Sequence, residues 1–172
     1  MNYIFLFDLD GTLVYTDFIY IQVWKKILKK YNIFVDELFF KNNIQGQNDR
    51  YVLQKLLNNQ NININDISSL KDTYFKEFIQ HIKIIEGALE FIKELNSKGY
   101  KIGIVTNCNR KSAELIISYC GFKDYIHHLV IGNECNRPKP YPDPYIQAMN
   151  YFNVLNSEII IFEDSKTGLL SA

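Results

Sequence analysis

Two carboxylates, Asp8 and Asp10, close the apolar run Ile-Phe-Leu-Phe at residues 4–7, and chemistry of some kind begins where that run stops. Taken alone the pair suits a turn as well as a reactive site, because Asp is a common turn residue and Asp10-Gly11 is a turn dipeptide. Three later apolar runs end in the same manner. Residues 102–105 run into Thr106-Asn107, residues 126–131 lead to a loop holding Lys139, and residues 159–162 run into Glu163-Asp164. If these runs are parallel strands of one sheet, all four ends share one edge, and groups scattered over the whole chain converge on one crevice.

Such a crevice holds up to four carboxylates, and like charges ~4 Å apart repel by roughly 4 kcal/mol at an effective dielectric near 20. They cannot all ionise without cations. Lys139 supplies one positive charge, and a hard divalent metal is the natural other, since carboxylate and carbonyl oxygens suit Mg²⁺. With a hydroxyl, backbone amides and an ammonium also pointing in, the site suits a phosphoryl group.

The elements that must position these groups can be read from the spacing. Residues 4–7 read as a strand buried on both faces. Thr16 or Asp17 can cap a helix with Ile21, Trp24, Ile27, Leu28 and Tyr31 on one stripe, and a second short helix is expected over 36–41. Gly46 breaks the pattern, Asn48 can cap a third helix, and Asn-rich residues 58–66 read as a surface loop. Ile67, Leu70, Tyr74, Phe75, Phe78, Ile79 and Ile82 form the cleanest helical stripe. No part of this stretch reads as strand. From Gly87 onward helices and strands alternate: helices over 88–97, 112–119 and from Asp143-Pro144, where Asp is the expected cap. The expected fold is therefore α/β, a Rossmann-like parallel sheet formed by residues 1–14 and 87–172, with an all-helical cap inserted as residues 15–86.

These motifs resemble the haloacid dehalogenase-like hydrolase superfamily, in its helical-cap subgroup that includes phosphoglycolate phosphatase and β-phosphoglucomutase. D-L-D-G-T-L is similar to that family's first signature, and I-V-T-N, R-P-K-P-Y-P-D-P and F-E-D-S-K-T-G to its second, third and fourth, in the same order over nearly the whole chain. The resemblance implies that Asp8 is a nucleophile that becomes an aspartyl phosphate, and that Asp10 protonates the leaving oxygen and then activates water. It implies that Thr106, Asn107 and Lys139 hold the phosphoryl group, with Lys139 also steadying Asp8. Mg²⁺ would be bound by Asp8, the backbone carbonyl of Asp10 and Asp164, with Glu163 directly or through water. In the cap, Ile44 to Arg50 resembles a loop that contacts substrate, and Arg50 suits a second phosphate or a carboxylate as well as it suits a solvent-facing helix.

The implied activity is a Mg²⁺-dependent phosphatase for a small phosphorylated metabolite. A sugar phosphomutase is the alternative, since the two differ only in whether water or a sugar hydroxyl receives the phosphoryl group. A relative that binds phosphate or a partner without turnover is the other. After F-E-D-S-K-T-G-L-L-S-A the resembled family completes a helix and adds a parallel strand, so the resemblance predicts an open edge beside residues 159–162. The expectation is a monomer, or weak self-association through that edge, with weakened Mg²⁺ binding.

Composition narrows the class further. Nineteen basic and nineteen acidic side chains cancel, so no basic surface argues for nucleic acid or anionic membrane. Cys108, Cys120 and Cys135 have no framework spacing and predict reduced thiols in a cytoplasmic setting. No apolar run is long enough to cross a bilayer, and no signal peptide is visible. His127 and His128 lie away from the four strand ends and read as structural. Trp24 reads as packing, Cys108 as a buried thiol, and Asn109, Arg110 and Lys111 as a first helical turn that could also reach substrate.

Overall fold

The computed structural model describes residues 3–47, 49–57, 63–154 and 158–172, in two compact units. One comprises Met1–Tyr15 with Lys83–Ala172 and the other Thr16–Ile82. In the first, β1 (Ile4–Phe7), β4 (Lys101–Thr106), β5 (His128–Ile131) and β6 (Ile159–Phe162) form a parallel sheet in the order β5-β4-β1-β6. Helices α5 (Ala88–Ser97), α6 (Arg110–Tyr119), α7 (Asp143–Phe152) and α8 (Lys166–Ser171) alternate with the strands. A two-stranded antiparallel ribbon, β2 (Val14–Tyr15) with β3 (Lys83–Ile84), closes the unit where the chain leaves it and returns.

The continuous apolar run of β1 is explained by burial on both sides, because side chains alternate across a strand. Phe5 and Phe7 meet Phe91 of α5 and Phe162 of β6 on one face. Phe7 stacks on Phe162 with centroids 4.7 Å apart and planes 10° apart, which the pairing of these two residues across the β1–β6 ladder imposes. Ile4 and Leu6 join Val105, Val130, Tyr145 and Ala148 on the other face, against α7. Gly103 is small because the layers close tightly there: a methyl group on it would meet Leu6 Cδ2 at 2.8 Å and Phe152 Cε2 at 3.1 Å.

The second unit is helical: α1 (Asp17–Lys29), α2 (Glu37–Asn43), α3 (Asp49–Leu57) and α4 (Ile64–Phe78), followed by a short 3₁₀ turn at Ile79–His81. Trp24, Ile27, Leu28, Val52 and Phe75 supply its buried core. Lys71 is buried beside Asp49 at 2.5 Å and over the rings of Tyr20 and Trp24. Asp36 caps α2 by accepting from the Phe39 N–H at 2.7 Å, and Gly46 takes the positive φ of 72° that ends this stretch.

Several elements differ from the sequence expectation. Tyr15 and Lys83–Ile84 of the β2–β3 ribbon, expected in the helical insert, belong to the first unit; the ribbon is two residues deep, too short to show any periodicity. β5 begins at His128 rather than 126, because a 3₁₀ turn at Lys123–Tyr125 precedes it. α6 begins at Arg110, two residues earlier than expected, with Asn109 accepting from the Ser112 N–H at 2.9 Å. Asp143 does not cap α7; Pro142 holds that position and the Asp143 carboxylate is bound by Arg137 at 2.9 Å. Thr16 precedes α1 with no side-chain capping bond. The expected cap Asn48, and residues 58–62 of the Asn-rich run, lie outside the described residues.

His127 does structural work at the start of β5. Its N–H donates to the Ile102 carbonyl at 2.8 Å, and its Nδ1 accepts from the Ile102 N–H at 3.2 Å, extending the β4–β5 edge by one side-chain bond. Burial, and next the Lys101 charge, hold its pKa below the ordinary 6.5. Since the folded chain binds this proton less readily than the unfolded chain, the stabilisation is full above pH ~6.5 and is lost as pH falls through the lower folded value. Thermal unfolding should therefore show a smaller loss of Tm between pH 7 and pH 5 in His127→Asn than in the parent. An identical decline in both would refute this role.

Candidate active site

Parallel pairing sets the positions before any side chain is considered. Phe7 is level with Phe162 and Ile104, and Thr106 with Ile131, so Asp8, Glu163, Thr106 and the loop after β5 emerge on one edge. Asp8 leaves β1 while its N–H still bonds the Phe162 carbonyl at 2.9 Å. The chain then turns sharply. Leu13 and Val14 both donate to the Leu9 carbonyl, Gly11 donates to Val14, and Gly11 adopts a φ of 88°.

Lys139 is the centre of the arrangement, 5% exposed, with its ammonium 2.7 Å from Asp8 Oδ1 and in contact with Glu163 Oε1. Asn107 fixes the backbone beneath it. Its amide nitrogen donates to the Lys139 carbonyl at 3.1 Å, and its oxygen accepts from the Lys139 N–H at 3.2 Å. Glu163 is held on both oxygens: Oε1 also accepts from the Tyr145 hydroxyl at 2.9 Å, and Oε2 accepts from the Ser165 hydroxyl at 3.2 Å. Thr106 is buried, accepts from the Cys108 N–H at 2.9 Å, and directs its hydroxyl to Asp10 Oδ2 at 3.4 Å. Asp164 accepts from the Thr12 hydroxyl at 3.0 Å.

Of the residues singled out in the sequence, Asp8, Asp10, Thr106, Asn107, Lys139, Glu163 and Asp164 thus come together. Arg50 stands exposed on α3 in the helical unit. Asn109 is engaged as a helix cap, and Arg110 grips Glu134 with two nitrogens at 2.8 and 2.6 Å. His127 and His128 lie at the opposite end of β5 from Ile131.

The carboxylates can hold a further cation. Burial pushes the Asp8 carboxyl up to about 8, against the pull of Lys139, with Glu163 and then Asp10 adding to the rise. One ammonium does not offset these carboxylates. Oxygens of Asp8, Glu163 and Asp164 lie within 4.8 Å of one another, and this all-oxygen donor set fits a hard divalent ion of the Mg²⁺ type.

Sequence reasoning passed over the residues that shape this set. Tyr145 looks like a core aromatic of α7, yet its hydroxyl reaches the site, and burial followed by Glu163 raises its phenol so that it stays a donor. Ser165 both caps α8, accepting from the Gly168 N–H at 2.9 Å, and orients Glu163; an S-x-x-G pattern directly after the carboxylates was the available signal. Three glycines make room for three site side chains. An added methyl group at Gly11 would meet the Asp164 carboxyl carbon at 2.7 Å, one at Gly132 would meet Asn107 Cγ at 3.2 Å, and one at Gly168 would overlap the Glu163 carboxylate.

A family model described as haloacid dehalogenase-like hydrolase matches residues 5–172, and the chain belongs to that family of enzymes. It is 26% identical over 176 residues to a phosphorylated carbohydrates phosphatase of Thermotoga maritima, spanning 97% of this chain and 78% of that protein. It is 23% identical to the validoxylamine A 7'-phosphate phosphatase of Streptomyces hygroscopicus, spanning 97% of this chain and 79% of the other. The fold matches the crystal structure of CbbY from Rhodobacter sphaeroides in complex with phosphate, with a TM-score of 0.90 at 21% identity, covering 99% of this chain and 81% of that one. The chain is thus a haloacid dehalogenase-like hydrolase with an α/β core, and phosphatases are among its relatives. Among the described residues no helix is long and apolar enough to cross a membrane.

Gly168→Ala should displace Glu163 and lower turnover or metal affinity by roughly 10- to 100-fold, the usual effect of disturbing groups behind a metal site. Gly99, at φ 79° with nothing near its missing Cβ, provides the control. Gly99→Ala should cost stability through backbone strain alone and leave kinetic constants near the parental values. Comparable activity in the two variants would show that the Gly168 contact does not matter.

Proposed function

We propose that this chain is a Mg²⁺-dependent phosphatase acting on a small phosphorylated metabolite through a phosphoryl group carried on Asp8. The observation that carries the reading is the buried Lys139 ammonium between Asp8 and Glu163, with Thr106 and Asp10 at the neighbouring strand tip. Asp8, Asp164 and the Asp10 carbonyl would hold Mg²⁺, with Glu163 behind them. The metal would neutralise charge on the phosphoryl oxygens and lower the barrier to attack by an anion.

The residues then divide the work. An Asp8 carboxylate oxygen attacks phosphorus, the bond from phosphorus to the ester oxygen breaks, and the departing oxygen takes a proton from Asp10. Asp10, now ionised, takes a proton from a water whose oxygen attacks the phosphorus of the aspartyl phosphate. Inorganic phosphate leaves and Asp8 is restored. Lys139 screens Asp8 from the incoming anion and binds a phosphoryl oxygen, as does the Thr106 hydroxyl once substrate displaces its contact with Asp10. The side-chain amide of Asn107 is engaged by the Lys139 backbone, so its contribution is to hold Lys139 and to offer a backbone N–H.

We assign the unit of residues 1–15 and 83–172 to the catalytic core and the helical unit, residues 16–82, to a cap narrower than the 15–86 expected from sequence, in which Arg50 is the candidate for reading the substrate. The phosphatases among the curated relatives favour water over a sugar hydroxyl as acceptor.

A panel of phosphorylated metabolites should reveal release of inorganic phosphate that needs Mg²⁺. Asp10→Asn should lower kcat by ~10²- to 10⁴-fold, the range of general acid–base catalysis. Asp8→Asn should abolish turnover, and acid quench of the parent should trap a phosphoryl group on the peptide containing Asp8. Parental rates in Asp8→Asn would overturn the covalent route.

A further inference from the structure

Tyr145 enters the site from α7, 2% exposed, and two of its parts meet two different charged groups. Its hydroxyl donates to Glu163 Oε1 at 2.9 Å, and its ring lies under the Lys139 ammonium with the centroid 5.1 Å away. Both charged side chains are nearly sealed from water, Lys139 at 3% and Glu163 at 1% exposure. In such surroundings the distribution of donors over an oxygen decides where a shared ammonium rests.

Glu163 Oε1 has two donors, Tyr145 and Lys139, while Ser165 holds Oε2 through its hydroxyl and its N–H. Lys139 in turn divides its protons between Glu163 and Asp8. We propose that Tyr145 is a positioning residue: by donating to Glu163 Oε1 it weakens the pull of that carboxylate on Lys139, and so keeps the ammonium shared with Asp8 rather than drawn wholly to Glu163. The inference rests on the phosphatase reading for its kinetic consequence, but its geometry is independent of that reading.

Removal of the hydroxyl alone has a signed outcome. In Tyr145→Phe the ring remains under Lys139, Glu163 Oε1 loses its neutral donor, and the ammonium shifts toward Glu163. Asp8 is then less well neutralised. A phosphoryl anion meets more repulsion at the reacting oxygen, so kcat falls, whereas Mg²⁺ is opposed by less positive charge at Asp8 and binds more tightly. A side chain that merely filled space would leave both constants unchanged, or weaken both through a loosened site.

The test is calorimetric titration of parent and Tyr145→Phe with Mg²⁺ alone, beside kcat and KM for the phosphomonoester that the parent turns over best. The expected result is Mg²⁺ binding several-fold tighter, kcat lower by roughly tenfold and KM near the parental value. Mg²⁺ affinity unchanged within about twofold, or weakened, would overturn the proposal. A variant that does not fold would assign the hydroxyl to stability alone and overturn it too. If the parent hydrolysed no phosphomonoester yet Tyr145→Phe bound Mg²⁺ more tightly, the phosphatase reading would fail and the positioning role would stand. A parent that bound no Mg²⁺ would overturn both.

Discussion

The ion pair of Lys139 with Asp8 is the constraint on which the rest of the core depends. The ammonium of a lysine side chain only 3% exposed must be paired, because leaving one partner of a buried pair alone costs several kcal/mol, on the order of 3–5. Its partners come from two different strands, Asp8 from β1 and Glu163 from β6, while Lys139 itself arrives from the loop after β5. Burying this charge therefore requires the parallel sheet to be assembled in register. The stacked Phe7 and Phe162, one residue before Asp8 and Glu163, place the two carboxylates level with each other, and so join core packing directly to the charge arrangement.

Space is the second constraint. Close approach of carboxylates, an amide and an ammonium leaves no room for ordinary side chains behind them, and Gly11, Gly132 and Gly168 each stand where a methyl group would collide with a site residue. Gly11 has a double reason, since its φ of 88° also makes the turn after Asp10. The bonds of Asn107 to both backbone groups of Lys139 extend the same logic from volume to direction, by fixing the base of a long flexible side chain.

Much of this was legible in the sequence because strand tips carry chemistry in a parallel sheet, and apolar runs ending in Asp8, Thr106 and Glu163 announce those tips. β1 and β6 were read with their observed limits, since buried parallel strands are continuous apolar runs. The β2–β3 ribbon was not, as two-residue strands have no period to detect. The cap of α7 was misplaced for a different reason: Asp143 is a good capping residue in isolation, but Arg137 binds its carboxylate and Pro142 takes the cap position. Tyr145 escaped notice because an aromatic side chain in an α/β core serves packing by default, and only the three-dimensional meeting with Glu163 exposes the use of its hydroxyl.

Asp8 and Asp10 are two residues apart and chemically identical, so their proposed roles must come from surroundings. Asp8 is buried, paired to Lys139, and raised mainly by loss of water; Asp10 is half-buried and meets a neutral hydroxyl from Thr106. Lys139 opposes the loss of water at the first carboxylate and favours the ionised oxygen that attack on phosphorus needs, whereas Thr106 turns a neutral hydroxyl to the second. Such a separation of environments is what allows two like carboxylates to serve as nucleophile and as acid. The turn at Gly11 completes the difference. It bends the chain directly after Asp10, so that the two side chains face different neighbours despite their proximity in sequence.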